Sequence, residues 1–404
     1  MNTFASMLVS GTLFGPLIGC SAAGRSLVGR TGAVSAQPVD FQVKAGGHCE
    51  SSALANALNA LGWRVSESDI VGGGGAPSFM FSADGFPFLG GRSARMRETF
   101  LAAAGIPYRV VVPLGEGSED IWGQVFALLD AGRPVPLRVD MRFLPYRYGG
   151  KFGPKYMSFG WHWITLFGID FDRRVAFVSD TEFGELQKIR FGDLDRARRS
   201  PLKQWPPRAE FLDLSPPLAL GTAPYRRALL SAGIAAVLDN YVGNDRWEGE
   251  AAAGGQVSTL PIPAGLAGIE AFPRVLRGFD RYAKPWIAGP ALAFLAGCIE
   301  RNGTGGSAFR SLFREFIASG CGKFEGESGS NRDAADALPA LDDSIASWKA
   351  LSDELDAAGT EVSAKRDADI RAAAYERCAA AAERVAAAER RLYAALSDLR
   401  PQRP

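Results

Sequence analysis

Histidine is almost missing from this chain, which has two, His48 and His162, among 404 residues. Five cysteines, Cys20, Cys49, Cys298, Cys321 and Cys378, are scattered and show neither a disulfide framework nor the paired spacing of a zinc site. So few imidazoles make a histidine-based metal centre a poor expectation, and no metal or cofactor is predicted. A surplus of charge is lacking too. The chain has 45 Lys and Arg against 44 acids, so composition gives no argument for nucleic acid or an acidic partner. Short basic clusters such as Arg196, Arg198 and Arg199 read as solvated helix faces. Beyond the N-terminus no stretch has the eighteen or so uninterrupted apolar residues of a spanning helix.

What remains is a globular composition, 47% hydrophobic and 22% charged, with ample core and length for two or three domains. Residues 1–40 read as a leader, disordered or a signal segment. Within it Leu17-Ile18-Gly19-Cys20 resembles a bacterial lipobox, which would tie the protein to a membrane through a lipidated Cys20. No Lys or Arg precedes Arg25, so the basic start of a secretory signal is missing. Reduced thiols and a cytoplasmic location are the expectation, with a lipoprotein as the alternative.

The chain divides near the proline-rich segment Pro201 to Pro224. Residues 41–214 read as an α+β domain. Helices are predicted from Cys49 to a stop at Gly62, over Arg95 to Ala104 and over Asp120 to Ala131. Strands are predicted over Tyr108 to Val112, Val135 to Val139, Trp161 to Ile169 and Val175 to Val178. Residues 215–330 read as a helical domain with helices over Arg226 to Tyr241, Ala264 to Tyr282, Ala288 to Ile299 and Phe309 to Ala318. Residues 331–404 then form a long helical hairpin, Asp333 to Ala358 and Val362 to Leu399, split at Gly359. That hairpin packs within the chain or offers a surface for a partner or a second copy.

The chemistry begins at Gly46-Gly47-His48-Cys49. Two glycines allow a sharp turn, and a thiol in the first turn of a helix meets the positive end of the helix dipole. His162 opens an apolar strand whose hairpin partner ends at Ser179-Asp180, so Asp180 falls beside His162 and can fix its tautomer. Nucleophile, base and orienter are thereby predicted as Cys49, His162 and Asp180. His48 competes as base, but adjacent side chains at a helix start diverge by about 100°, so it is read as shaping the cleft.

Gly47-His48-Cys49-Glu50-Ser51-Ser52, Ser66-Glu67-Ser68, Gly72 to Gly75, Gly90-Gly91-Arg92, Ala131-Gly132-Arg133-Pro134-Val135 and Arg138-Val139-Asp140 followed by Leu144-Pro145-Tyr146 resemble, in order, the N-terminal domain of the butirosin-biosynthesis H protein family. Ile299-Glu300-Arg301-Asn302-Gly303-Thr304-Gly305-Gly306 followed by Phe309-Arg310 resembles its usual C-terminal companion, a helical domain of unassigned role. The resemblance implies a papain-like, C39-peptidase-like fold whose cysteine accepts an acyl group. It further implies an acyl carrier protein as donor and a small natural-product amine as acceptor, with Cys49 nucleophile, His162 base then acid, and Asp180 orienter. Trp161 and Trp163 flank the histidine where small or aliphatic neighbours are more usual, which would narrow the acceptor pocket.

For the oxyanion, Gln42 stands seven residues before Cys49, one more than in papain-like C39 peptidases, and the Cys49 backbone N–H is the stronger candidate. Gly73 and Gly74, in the run Gly72 to Gly75, would form a backbone nest over a carrier's phosphate or a flexible cleft loop; Asp140 is a further cleft candidate. The Gly303 to Gly306 turn either joins two helices or lines the cleft. Three outcomes stay open: an acyltransferase, a related peptidase or amide hydrolase, and a non-catalytic scaffold on the same fold.

Overall fold

The computed structural model of the chain describes residues 29–37, 41–83, 86–113, 120–202, 205–243, 261–320, 333–365 and 367–399. The lipobox-like segment with Cys20, and Cys321, lie outside the described residues.

A mixed α/β region comes first. Its first helix, α1 (Cys49–Ala60), starts at the His48 cap and is closed by Leu61, after which Gly62 turns the chain at φ +97°. Helix α2 (Glu67–Gly73) begins with a capping box between Ser66 and Asp69. Strands β2 (Pro77–Ser82) and β3 (Phe88–Arg92) make a hairpin, and α3 (Met96–Ala103) follows. The main sheet holds β4 (Tyr108–Val111), β5 (Val135–Val139), β6 (His162–Asp170), β7 (Val175–Ser179), β8 (Gln187–Arg190) and β9 (Phe211–Leu214) in the order β4-β9-β5-β6-β7-β8. β1 (Ala33–Ser35) pairs with the far end of β6, and all pairings in the sheet are antiparallel.

Side chains of β6 alternate between two cores, as the period of a strand requires. Trp163 packs on the α1 side, where Thr165 Oγ1 donates to the Ala53 carbonyl at 2.8 Å. Ile164 and Leu166 face α4 (Gly123–Asp130) and α5 (Phe191–Arg198) on the other side. The proline-rich segment is not a plain linker. Phe211 and Leu212 in its middle are buried, and β9 inserts between β4 and β5.

An all-α region follows: α6 (Arg226–Tyr241), α7 (Gly265–Arg277), α8 (Ala288–Glu300), α9 (Arg310–Gly320), and the packed pair α10 (Leu338–Ala364) and α11 (Ala368–Asp398). The expected split at Gly359 is corrected: α10 runs through it, and the break comes at Lys365 to Asp367. Gly359 is there for closeness rather than for a turn, since a Cβ on it would stand 2.8 Å from the Gly289 carbonyl oxygen of α8.

One apolar core joins the two regions. Leu54, Leu58 and Trp163 share it with Leu229, Phe313, Phe316 and Leu392. A second core is built by α7, α8, α10 and α11, with Phe79, Phe81 and Leu89 of the β2–β3 hairpin inserted into it. Among the described residues no helix is long and apolar enough to cross a membrane.

Candidate active site

Cys49 is the first residue of α1, half-buried against the shared core. By that position its backbone N–H has no intrahelical acceptor. The preceding turn is held by Glu67 from α2. One carboxylate oxygen accepts the Gly47 N–H at 2.8 Å, and the other accepts the His48 N–H and the Ser51 hydroxyl, each at 2.8 Å. Gly46 N–H donates to the Thr181 carbonyl at 2.7 Å, so the cysteine turn is also stitched to the segment that carries Asp180.

His48 serves the helix. Its Nδ1 accepts the Ser51 N–H at 3.3 Å, which makes the imidazole an N-cap. Burial, followed by the nearby Arg92 cation, pushes its pKa down to about 3, so the ring is neutral at ordinary pH.

His162 begins β6, paired with Val139 of β5. Its Nε2 lies 2.8 Å from Asp180 Oδ1, leaving Nδ1 for another partner. Burial disfavours the charged ring, but the charge and hydrogen bond of Asp180, with a smaller contribution from Cys49, outweigh it and lift the pKa to about 9. Asp180 is itself saturated with donors: Thr181 N–H on Oδ1 at 2.7 Å, and on Oδ2 the Tyr146 hydroxyl at 2.9 Å and Arg147 Nη1 at 2.8 Å. Burial alone would raise this carboxyl, yet the His162 and Arg147 charges hold it well below the usual carboxylate range. Arg147 reaches on to Glu182 at 2.5 Å.

Glu50, next to Cys49 in the chain, belongs to a buried charge lattice. Glu50 pairs with Arg97 at 2.9 Å and Arg92 at 3.2 Å; Glu210 pairs with Arg138 at 2.6 Å and Arg97 at 3.5 Å. Burial raises the Glu50 carboxyl, but Arg92 and Arg97 bring it down to about 2. Arg138 also lies over the rings of Trp161, at 5.1 Å, and Trp163, at 5.2 Å.

Residues 48–181 match the family model described as butirosin biosynthesis protein H, N-terminal. Residues 218–396 match a second model, the domain of unknown function DUF4872. No curated protein matches the chain. The butirosin H match supports a papain-like role in acyl transfer or hydrolysis.

The remaining site candidates lie in varied surroundings. Gly73 and Gly74, expected as a backbone nest or a flexible cleft loop, lie at the end of α2 against close neighbours. A Cβ on Gly73 would touch Leu229 at 3.0 Å, one on Gly74 would stand 2.3 Å from the Met96 carbonyl oxygen, and Gly74 N–H is spent on the Ile70 carbonyl. These glycines let α2 pack tightly among its neighbours. Gln42 is exposed on the approach to the turn, with no hydrogen bond aiming it at the thiol among the described residues. Asp140, a cleft candidate, is buried: its carboxylate accepts from Ser158 Oγ, Ser200 Oγ and the N–H groups of Phe159 and Arg142, tying down the loop that leads into Trp161 and His162. Trp163 is a buried core residue, whereas Trp161 stays half-buried. Arg147 and Thr181 had no signal of their own and Glu67 only its place in Ser66-Glu67-Ser68, because the distant group that each meets is fixed by the fold.

Proposed function

We propose that the protein transfers an acyl group through a thioester on Cys49. The observation that supports this reading is the imidazole of His162, hydrogen-bonded through Nε2 to the buried Asp180, with Cys49 at the first position of α1 in a turn that Gly46 ties to Thr181. The Cys49 thiol gives its proton to His162 and its sulfur attacks the donor carbonyl carbon, forming the C–S bond. The tetrahedral oxyanion faces the N–H of Cys49 at the helix start. On collapse the donor's thiol leaves with the proton from His162. An amine then attacks the acyl-enzyme, His162 takes the amine proton, and the C–S bond breaks to give an amide and the free thiol. Asp180 keeps the imidazole oriented and supports its charge throughout.

The donor in this reading is a carrier-protein thioester and the acceptor a small amine. With water in place of the amine the same steps describe a hydrolase. Intact-mass analysis after incubation with acyl-carrier thioesters, with and without amines, tests the assignment. An acyl adduct on the wild type, absent from Cys49→Ala and discharged as amide by added amine, is the expected result. Adducts on Cys298 or Cys321 instead would overturn it, and discharge only to free acid would make the enzyme a hydrolase.

A further inference from the structure

The turn between α8 and α9, in the all-α region, reaches back to the cysteine turn. Gly305 donates its N–H to the Gly47 carbonyl at 3.2 Å, and the two glycine backbones approach so closely that a Cβ on Gly47 would stand 2.8 Å from Gly305 Cα. Phe309 sets its ring edge-on to His48, with centroids 4.9 Å apart and planes at 77°. His48 in turn caps the helix that opens with Cys49. The chain thus runs from Phe309 through His48 to the thiol.

This turn is held in an unfavourable backbone state. Ser307, Ala308 and Phe309 have φ of 49°, 47° and 73°, three successive non-glycine residues in the left-handed region. Such runs persist only where the surroundings over-determine them. Here they do. Glu300 accepts the Ser307 N–H and hydroxyl, each at 3.1 Å. Arg310 donates to the carbonyls of Ala308 at 2.7 Å and Ser78 at 3.0 Å while paired at 3.0 Å with the buried Glu389 of α11. Gly91 of β3 leaves room for Ala308, since a Cβ there would lie 2.6 Å from the alanine's own.

From this we infer that the α8–α9 turn is a positioning device for the nucleophile, with Phe309 and Gly305 seating the His48-Cys49 turn. The domain of unassigned role is then part of the working site and not a separate module. The inference deepens the acyl-transfer reading and rests on Cys49 being its nucleophile, but its test does not need acyl transfer.

The second-order rate constant for alkylation of Cys49 by iodoacetamide, followed by peptide mass across pH 5 to about 10, reads the seating of the sulfur directly. Phe309→Leu keeps the backbone and removes the ring. It is expected to slow Cys49 alkylation about tenfold or more and to change the shape of its pH profile. Gly305→Ala, which strains a residue at φ +64° and sets a methyl 2.3 Å from Leu312 Cδ1, is expected to act in the same direction. Phe272→Leu, in the other core, is the control for general loosening and should leave both readouts at wild type. Wild-type rates and profiles in both folded variants, or an equal loss in Phe272→Leu, would overturn the inference. Failure of acyl transfer in the wild type, with these alkylation differences intact, would sink the acyl-transfer reading alone.

Discussion

Glu67 holds the backbone of His48: its Oε1 accepts the His48 N–H at 2.8 Å from twenty or so residues down the chain. The same carboxylate satisfies Gly47 N–H and the Ser51 hydroxyl, so three donors around the thiol depend on one side chain. Glu67→Ala strands them. A loss of roughly 2–4 kcal/mol is expected by denaturant unfolding, together with slower acylation of Cys49. An unchanged midpoint would mean the turn holds its shape by other means.

If the proposed acyl transfer runs through His162, its pH dependence should follow that ring. Its pKa, lifted to about 9, keeps a proton on the ring for the leaving group until pH rises through that value, so the alkaline limb of the rate should fall there. Asp180→Asn removes the supporting charge. The limb should then move down toward the ordinary histidine value of about 6.5. The sign for folding is the same. A raised pKa gives stability that is complete below about 6.5 and lost as pH climbs through 9. A limb that stays put in Asp180→Asn would refute the assignment.

His48 has the opposite linkage. Its folded pKa of about 3 lies below the unfolded value, so the unfolded chain takes up a proton first as pH falls from about 6.5 toward 3. Stability present above that window is lost within it, on the order of 5 kcal/mol in full. His48→Asn, which still caps a helix, should flatten the acid limb of thermal stability between pH 6 and about 4. Melting curves that remain parallel for the two proteins would contradict this.

Thiol selectivity follows from burial. Desolvation pushes Cys298 up to about 11 and Cys378 up to about 12, so both are protonated at neutral pH. Limiting iodoacetamide at pH 7.5 should modify the half-buried Cys49 before either of them. Peptide mapping that finds Cys298 or Cys378 labelled first would count against the described burial.

Arg310 and Glu389 are both fully buried, and Glu389 also accepts from Ser344 Oγ and Trp348 Nε1, each at 2.6 Å. Arg310→Met leaves that carboxylate unpaired and is expected to cost roughly 3–5 kcal/mol. The double variant Arg310→Met with Glu389→Gln should recover part of the loss. Unfolding in denaturant measures both.

Much of the architecture is readable along the chain because it is written in local terms. The apolar spacing of Leu54 and Leu58, the stop at Gly62 and the alternation through Val135 to Val139 announce α1 and β5 without reference to anything distant. Hairpins carry their partners with them, which is why His162 and Asp180 can be brought together from the turn at residues 171–173. The β-bulge between Leu166 and Gly168, which shifts that pairing by one residue, is marked in the sequence by Gly168 alone. Strand β9 is hidden for a different reason. Its four residues sit among prolines, and only the unfilled place between β4 and β5 makes them a strand.

The sequence by itself determined that a scarce histidine, a thiol at a helix start and an acid at a strand end were the residues to consider, since each owes its setting to its own neighbours. Tertiary structure alone decided who holds them. Glu67, Arg147, Thr181 and Gly305 act across long chain separations, through hydrogen bonds of a few ångströms that no spacing rule encodes. It also decided that glycines at 73 and 74 serve packing, because the meaning of a missing Cβ depends on what stands opposite it.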